Sequence, residues 1–257
     1  MTAAKPTGVI ARPGDAIGIL GGGQLGRMLA IAAADMGLDV HIFTPEDDSP
    51  ASRVAKRTWV AKWSDEAALK EFAASIVAAT IEFENVPVAA TDLIEAHGKP
   101  MRPGGRTLAR AQDRLAEKTF FREIGIEPAP FERIDGPEDI QPALDRLGGN
   151  GVLKSRFSGY DGKGQVRLKA KAPDSAWADV GAGPSVLEGW ITHECEISVI
   201  AARTAQPGSD WWAQSRNRHC VASSSMSAKV AETPSSASHR PSSRIPGVSR
   251  IRAPEGS

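Results

Sequence analysis

The sequence has few of the features that indicate a secreted, membrane-bound or nucleic-acid-binding protein. Its two cysteines, Cys195 and Cys220, are too few for a disulfide framework. No apolar run reaches the roughly eighteen residues that span a bilayer, and residues 1–15 lack the apolar segment of a signal peptide. Thirty-one basic residues balance thirty-one acidic ones, so net charge favours neither nucleic acid nor an anionic membrane. These absences predict a cytoplasmic protein.

The first hundred residues alternate between strand-like and helix-like segments. Of the 257 residues, 41% are hydrophobic, which is enough for the core of one large or two small domains. Apolar periodicity predicts strands at 16–20, 39–43 and 76–83, and helices at 28–36, 65–74 and 88–97. Ser64 is the expected N-cap of the second helix. Repeated βα units of this kind predict a parallel sheet with ligands at the carboxyl ends of its strands.

A glycine-rich turn joins the first strand to the first helix. Gly21, Gly23 and Gly26 fit the G-x-G-x-x-G pattern that places a dinucleotide on a helix N-terminus. A dehydrogenase would also need an acid at the end of the second strand, where Thr44 and Pro45 stand; residues 46–48 are acidic but follow late. The turn therefore has two interpretations, a ligand site or a tight structural connection.

A second glycine-rich segment covers residues 157–165 and contains Lys163. Glycines let several backbone amides approach phosphate oxygens, and the preceding strand-like run carries Lys154 and Arg156 towards the same place. The pattern predicts a loop over nucleotide phosphates; the alternative is a hairpin with solvated lysines. The surrounding pattern predicts helices at 112–124 and 140–147 and strands at 151–156, 185–191 and 197–201.

Two groups of carboxylates stand at strand ends or faces. Glu82, Glu84 and Asn85 lie at the carboxyl end of the third predicted strand and could bind a polar substrate or cap the next helix. Alternation places Glu194 and Glu196 on one face of a strand, where they could bind a ligand or line a solvated edge.

Four segments together resemble a known family. They are Gly-Gly-Gly-Gln-Leu-Gly-Arg-Met at 21–28, Glu-Phe-Glu-Asn-Val-Pro at 82–87, Asp-Arg-Leu-Ala-Glu-Lys at 113–118 and Gly-Tyr-Asp-Gly-Lys-Gly-Gln at 159–165. Their order is similar to that in the ATP-grasp enzymes of the 5-(carboxyamino)imidazole ribonucleotide synthase family. The resemblance implies an α/β fold, with an extension at 1–14, a Rossmann-like parallel-sheet domain at 15–111 and a partial ATP-grasp domain at 112–204.

The resemblance implies an ATP-dependent carboxylation in purine biosynthesis. Bicarbonate would be phosphorylated to carboxyphosphate, and the amine of 5-aminoimidazole ribonucleotide would take up the carboxyl group. The implied cofactors are ATP and Mg²⁺, and the implied assembly is a homodimer. Two alternatives remain open: another ATP-grasp ligase or carboxylase, such as a formyl- or carboxyl-transferring relative, and a nucleotide-binding module without catalysis.

The resemblance also implies residue roles. The residues expected to contact ATP are Arg114, Lys154, Gly159, Tyr160, Asp161, Gly162, Lys163, Gly164, Gln165, Glu188, Gly189, Trp190, Ile191 and Glu196. Of these, 159–165 would close over the phosphates, 188–191 would read the adenine, and Glu196 would hold the ribose hydroxyls. The residues expected to contact the ribonucleotide are Gly23, Gln24, Leu25, Glu82, Asn85, Tyr160 and Asp161. The glycine turn would hold its phosphate at the helix N-terminus.

The segment 205–257 departs from the family pattern. It is dominated by serine, arginine, proline and alanine without apolar periodicity, a composition that predicts a disordered tail. Our hypothesis is an out-of-frame translation after about residue 204; the alternative is a disordered regulatory extension. The resemblance implies that the Mg²⁺ ligands belong to a part of the family's sequence without a counterpart here, which predicts that this chain does not turn over. His219 and Cys220 lack partners for a metal site.

Overall fold

The computed structural model describes residues 11–157 and 164–192, together with the backbone of three later strands. The chain divides into two compact units, Met1–Trp190 and Ile191–Ser257. The first unit contains a parallel sheet followed by an antiparallel sheet, and the second contains the three later strands. Among the described residues, no helix has the length and apolar character that crossing a membrane requires.

The parallel sheet confirms the predicted Rossmann-like domain. Its strands are β1 (Ala16–Leu20), β2 (Asp39–Thr44), β3 (Arg57–Val60) and β4 (Ala78–Ile81), in the order β3-β2-β1-β4. Its helices are α1 (Gln24–Asp35), α2 (Glu66–Ala74) and α3 (Val88–Ala96). Strand β3 was not predicted, because this four-residue edge strand, with its exposed ends Arg57 and Val60, is too short to show a pattern.

Helices cover both faces of this sheet, so both faces are apolar. On one face, α1 packs against side chains of β1 and β2, including the buried Ile19 and Ile42. On the other face, Phe43 and Phe72 are fully buried in a cluster with side chains from α2 and α3. The Phe72 ring meets the Phe43 and Trp59 rings edge-on at centroid distances of 5.6 and 5.5 Å. The carboxyl ends of β1 and β4 are thereby fixed by a rigid core.

Two helix starts differ from the predictions. Helix α2 is capped by Asp65 and not by Ser64, since Asp65 Oδ1 accepts a hydrogen bond from Ala68 N at 3.0 Å. The helix predicted at 112–124 is present as α5 (Arg114–Glu123) and begins after Asp113; the preceding helix α4 (Gly105–Gln112) was not predicted. Asp113 between them is extended, with φ −115° and ψ 107°, because its side chain caps α5 by accepting from Leu115 N and Ala116 N.

The antiparallel sheet follows α5. Its strands are β5 (Phe131–Ile134), β6 (Asn150–Ser155), β7 (Gln165–Lys169) and β8 (Ser185–Gly189), in the order β5-β8-β6-β7. Helices α6 (Ile140–Arg146) and α7 (Ala176–Asp179) complete this part of the unit. Its core includes Leu144, Leu153 and Leu187, each fully buried. Strands β6 and β7 form a hairpin whose connection holds the second glycine-rich segment.

The second unit is a three-stranded antiparallel sheet. Strands β9 (Cys195–Arg203), β10 (Trp211–Cys220) and β11 (Ser249–Ile251) are ordered β11-β10-β9. Strand β9 includes the strand predicted at 197–201. Strands β10 and β11 lie within the segment 205–257, whose out-of-frame origin stays a prediction.

Candidate functional site

The glycine-rich turn and Glu82 meet where β1 and β4 end. Gly21 has φ +112°, a conformation that strains any other residue. Gly23 is the N-cap of α1, and its backbone N–H donates to Glu82 Oε2 at 2.5 Å. A Cβ atom at Gly23 would overlap Glu82 Oε1. Strand β1 has β2 on one side and β4 on the other. The glycine-rich turn and Glu82 therefore lie at the topological switch point where α/β sheets bind ligands.

The charge of Glu82 bears on what this turn can bind. The Glu82 carboxylate accepts from the Gly23 amide and already interacts with the positive end of the α1 dipole. A phosphate at the same place would lie next to this negative charge. The Glu82 oxygens can accept from ligand groups that donate hydrogen bonds, such as hydroxyls or an amine; the phosphate expected from the sequence stays a prediction. Gln24 and Leu25 are exposed beside the turn, and Leu25 is 57% exposed.

A cleft of about 300 Å³ lies between the segment after β4 and the α4–α5 junction. It brings together Asn85, expected to contact the ribonucleotide, and Arg114, expected to contact ATP. Gln112 fixes one wall, because its Nε2 donates to the carbonyl oxygens of Glu84 at 2.6 Å and Val86 at 2.7 Å. Two acids and two arginines share this lining, namely Glu84, Glu117, Arg114 and Arg156.

An ion pair joins the α4–α5 junction to the end of β6. Arg156 donates to Asp113 from Nε, at 2.9 Å, and from Nη2, and Arg114 N donates to Arg156 O at 3.1 Å. Burial acts to raise the pKa of Asp113, but the hydrogen bonds from Arg156, Leu115 N and Ala116 N outweigh it and hold that pKa below its ordinary value. Arg156 therefore holds the start of α5 and is not the free phosphate-binding charge that the sequence suggested.

Three charged side chains form a second cluster at the centre of the antiparallel sheet. Glu188 Oε2 lies 3.0 Å from Lys154 Nζ, and Glu188 Oε1 lies 3.3 Å from Lys118 Nζ. The side chains are 12% exposed for Glu188, 14% for Lys118 and 23% for Lys154. One carboxylate thus forms ion pairs with two ammonium groups that are largely buried, and the cluster has a net charge of one positive.

The segment expected to read adenine continues from Glu188. Two of its backbone amides are used within the fold, since Gly189 N donates to Pro130 O at 2.7 Å and Trp190 N to Asn150 O at 2.9 Å. The Arg167 guanidinium lies 3.5 Å from the centroid of the Trp190 ring. Ile191 is 49% exposed. These amides of Gly189 and Trp190 hold the segment in place and are not available to a ligand.

The ends of the glycine-rich hairpin loop are described, and its tip is not. Gly164 has φ +66°, its carbonyl accepts from Ser155 N at 2.9 Å, and Gln165 pairs with Lys154. The predicted contacts at 159–163, at Glu194 and at the Glu196 side chain lie outside the described residues. In the part of the chain that the structure describes, no group of three or more His, Cys, Asp or Glu side chains could hold a metal ion.

Comparison with known proteins assigns a family to most of the chain. A family model for the ribonucleotide synthetase preATP-grasp domain matches residues 15–112, and one for the ATP-grasp domain matches residues 119–243. N5-carboxyaminoimidazole ribonucleotide synthase from Brucella melitensis is 48% identical over 195 residues, which are 75% of this chain and 54% of that protein. The chain belongs to the N5-carboxyaminoimidazole ribonucleotide synthase family.

Solved structures of synthases in this family have the same fold. An ADP complex of N5-carboxyaminoimidazole ribonucleotide synthetase matches with a TM-score of 0.71 and 37% identity, over 76% of this chain and 52% of that one. The Aspergillus clavatus synthase in complex with ADP and 5-aminoimidazole ribonucleotide matches with a TM-score of 0.66, over 80% of this chain and 55% of that one; at 22% identity it shows the fold alone. The chain spans about half the length of the curated synthases it matches.

Three residues that organise the site were not assigned from the sequence. Asp113 and Lys118 belong to a segment that carried the resemblance to the synthase family, and Gln112 directly precedes it. An aspartate before Arg-Leu-Ala is a recognisable N-cap signal, so the start of α5 after Asp113 was within reach of the sequence. The partners of Gln112 and Lys118 were not, because 26 to 70 residues of sequence separate each pair.

Proposed function

We propose that this chain binds ATP and 5-aminoimidazole ribonucleotide as part of an ATP-grasp ligase that carboxylates the ribonucleotide with bicarbonate. The observation that carries the proposal is the cleft in which Asn85 and Arg114 face the same space. A ligase that couples ATP cleavage to carboxylation needs its two substrates within reach of each other. The family membership and the ADP complex of a similar synthetase support the same assignment.

On the nucleotide side, Arg114 and Lys154 supply positive charge. Phosphoryl transfer depends on positioning and on neutralising the charge of the transferred group, so two cations near the phosphates suit it. Lys154 stands opposite Gln165 at the base of the glycine-rich hairpin. We propose that residues 159–165 close over the phosphates from there and that residues 188–191 lie along the adenine.

On the ribonucleotide side, Glu82 and the glycine turn present a carboxylate at the end of the parallel sheet. Glu82 Oε1 does not take part in the hydrogen bond to Gly23, so it can accept from a ribose hydroxyl. Asn85 is exposed and lines the cleft, where its amide can both donate and accept. We place Gln24, Leu25 and the loop residues Tyr160 and Asp161 around the same ligand.

The proposed reaction has two steps. A bicarbonate oxygen attacks the γ-phosphorus of ATP, ADP leaves, and carboxyphosphate forms. The exocyclic amine of the ribonucleotide then attacks the carboxyl carbon, phosphate leaves, and the amine nitrogen loses a proton. Mg²⁺ would supply charge neutralisation during the first step. The described residues contain no group of three or more His, Cys, Asp or Glu side chains that could hold it.

Four further features belong to the proposal or stay predictions. Bicarbonate as the carboxyl donor and a homodimer as the assembly follow from family membership. The cytoplasmic location stays a prediction of the sequence, as does the absence of turnover by this chain.

Calorimetric titration of the chain with ADP and, separately, with 5-aminoimidazole ribonucleotide tests the proposal. Lys154→Ala should weaken ADP binding by roughly ten- to a hundredfold, because it removes a charge-assisted contact, and should leave ribonucleotide binding within about twofold. Asn85→Ala should do the reverse, with a smaller loss of about fivefold to tenfold for a neutral hydrogen bond. The two variants serve as controls for each other.

Each outcome has a distinct meaning. Binding of ADP without the ribonucleotide would favour another ATP-grasp ligase or a nucleotide-binding module. Unchanged ADP affinity in Lys154→Ala would remove Lys154 from the nucleotide site.

A further inference from the structure

The cluster of Lys118, Glu188 and Lys154 contains a cation for which the proposed reaction has no assigned role. Lys154 is expected to contact the nucleotide, yet in the structure its ammonium group lies 3.0 Å from a Glu188 oxygen. A phosphate at Lys154 competes with that oxygen for the ammonium group and draws it away from Glu188. Glu188 is only 12% exposed, so it would then be a sheltered carboxylate with one partner fewer.

Lys118 is placed to remain with Glu188. Its ammonium group lies 3.3 Å from the other carboxylate oxygen, so the two lysines do not compete for one atom. Lys118 is less exposed than Lys154, at 14% against 23%, and lies on α5 with its ammonium 5.9 Å from the centroid of the Phe131 ring. Phe131 is paired with Glu188 across β5 and β8, so helix, ring and carboxylate form one packed group.

The energetics decide which lysine moves. Removing one partner from a buried ion pair is strongly unfavourable because the other charge stays behind unpaired. With two lysines on one carboxylate, Lys154 can leave without that penalty, since Lys118 still neutralises Glu188. With Lys118 absent, the same movement would strip Glu188 of its last cation.

We propose that Lys118 is a positioning residue for nucleotide binding. Lys118 stays paired with the Glu188 carboxylate, and this allows Lys154 to move from the carboxylate to a nucleotide phosphate. This inference rests on the proposed nucleotide site. It assigns Lys118 no contact with the nucleotide. The ligand-free fold should tolerate the loss of Lys118, because Lys154 then remains on Glu188.

The test is a cycle of variants titrated with ADP by calorimetry. Lys118→Met keeps the aliphatic stem and removes the charge; it should bind ADP about ten- to a hundredfold more weakly than the wild type, the cost of an unpaired sheltered carboxylate. Its melting temperature without ligand should stay within about 3 °C of the wild type. Lys118→Met with Glu188→Gln should recover most of the lost affinity, and the single Glu188→Gln variant completes the cycle.

Lys70→Met is the matched control. It also removes a lysine from a lysine–glutamate pair, but that pair lies on the surface of α2 with side chains 50% and 72% exposed. ADP affinity in this variant should stay within about twofold, as expected for a surface ion pair.

Four results would overturn the inference. Equal ADP affinity in Lys118→Met and the wild type would show that Lys154 needs no help. Equally weak binding in Lys118→Met and the double variant would show that Lys118 touches the nucleotide itself. A melting temperature that falls by more than about 6 °C would show a structural role. Failure of the wild type to bind ADP would remove the proposed function and, with it, this inference.

Discussion

The two sheets of the first unit hold their candidate site residues by different means. In the parallel sheet, Glu82 is fixed by one hydrogen bond to the backbone of Gly23, above a core in which Phe43 and Phe72 are fully buried. In the antiparallel sheet, the candidate residues are held by ion pairs between side chains that are 12% to 23% exposed. One site is set by backbone and apolar packing, and the other by charge.

This difference matters for how each site responds to a ligand. Packed cores are not continuously deformable, so the parallel sheet should offer Glu82 in nearly the same place with or without a ligand. Ion pairs can exchange partners when a competing charge arrives, provided that no buried charge is left alone. We therefore expect the ribonucleotide side to be preformed and the nucleotide side to rearrange.

The largest expected effect is on the charged side, at Asp113. Asp113→Ala leaves Arg156 without its carboxylate and α5 without its cap, and should lower the free energy of unfolding by about 2–4 kcal/mol, since the pair keeps some contact with solvent. Urea denaturation measures it. Asp113→Asn is the matched control, because asparagine caps helices well and only the charge is lost.

The same carboxylate sets an acid limit on stability. Because the folded state lowers the pKa of Asp113, its contribution is present above the unfolded value of about 4 and is lost as pH falls through the lower folded value. Asp113→Asn should flatten this part of the pH profile. A loss of less than about 1 kcal/mol in Asp113→Ala would mean that the charged side is held by packing after all.

The next effect concerns the preformed side. Gly23→Ala would push Glu82 away from the turn, because the new Cβ overlaps a carboxylate oxygen. That oxygen is the end of a flexible side chain, so the fold should lose only about 1 kcal/mol, the value of one hydrogen bond. Ribonucleotide affinity should fall by about tenfold or more, as calorimetry would measure.

Gly183→Ala is the control for that variant. Gly183 lies just before strand β8 of the antiparallel sheet, and a Cβ atom there would have its nearest neighbour at 3.9 Å. Ribonucleotide affinity should not change. If Gly23→Ala bound the ribonucleotide as tightly as the wild type, the turn would be only a structural connection.

The parallel sheet, which carries the side that we expect to be preformed, was also easier to predict from the sequence. Strands β1, β2 and β4 and their helices follow from apolar runs and helical periodicity, and the glycine turn follows from its spacing. The sequence did not reveal that Glu82 occupies the Gly23 amide, because 59 residues separate them and only the order of strands brings them together. The expectation of a phosphate at that turn did not take this carboxylate into account, and it stays a prediction.

The charged side was predictable only in its parts. Lys154, Glu188 and Arg156 each stood out as charges near strand-like runs, but their partners depend on the antiparallel register. Pairing of β6 with β8 sets Glu188 opposite Val152, and the α4–α5 break at Asp113 brings Lys118 and Asp113 against the same sheet. Charge pattern shows which residues can pair, whereas topology decides which of them do.

The smallest expected effect is a pH dependence of stability that comes from His41 in the parallel sheet. Burial, together with the positive charges of Arg57 and Lys56, lowers the pKa of His41 below its ordinary value of 6.5, although Asp39 opposes the shift. The His41 ring lies 5.5 Å from the Trp59 ring, and its Nδ1 is 2.8 Å from Ser75 Oγ. A protonated His41 is therefore disfavoured in the folded state.

The sign follows from proton binding. Between pH 6.5 and the lower folded value, the unfolded chain binds a proton that the folded chain does not, so stability falls as pH drops through this window. Because solvent screens a partly exposed group, we expect only a few tenths of a kcal/mol. Urea unfolding at pH 7.5 and 5.5 should show this loss in the wild type and in His97→Gln, the exposed histidine after α3, but not in His41→Gln. An equal loss in all three would mean that His41 is not the source of the loss between pH 7.5 and 5.5.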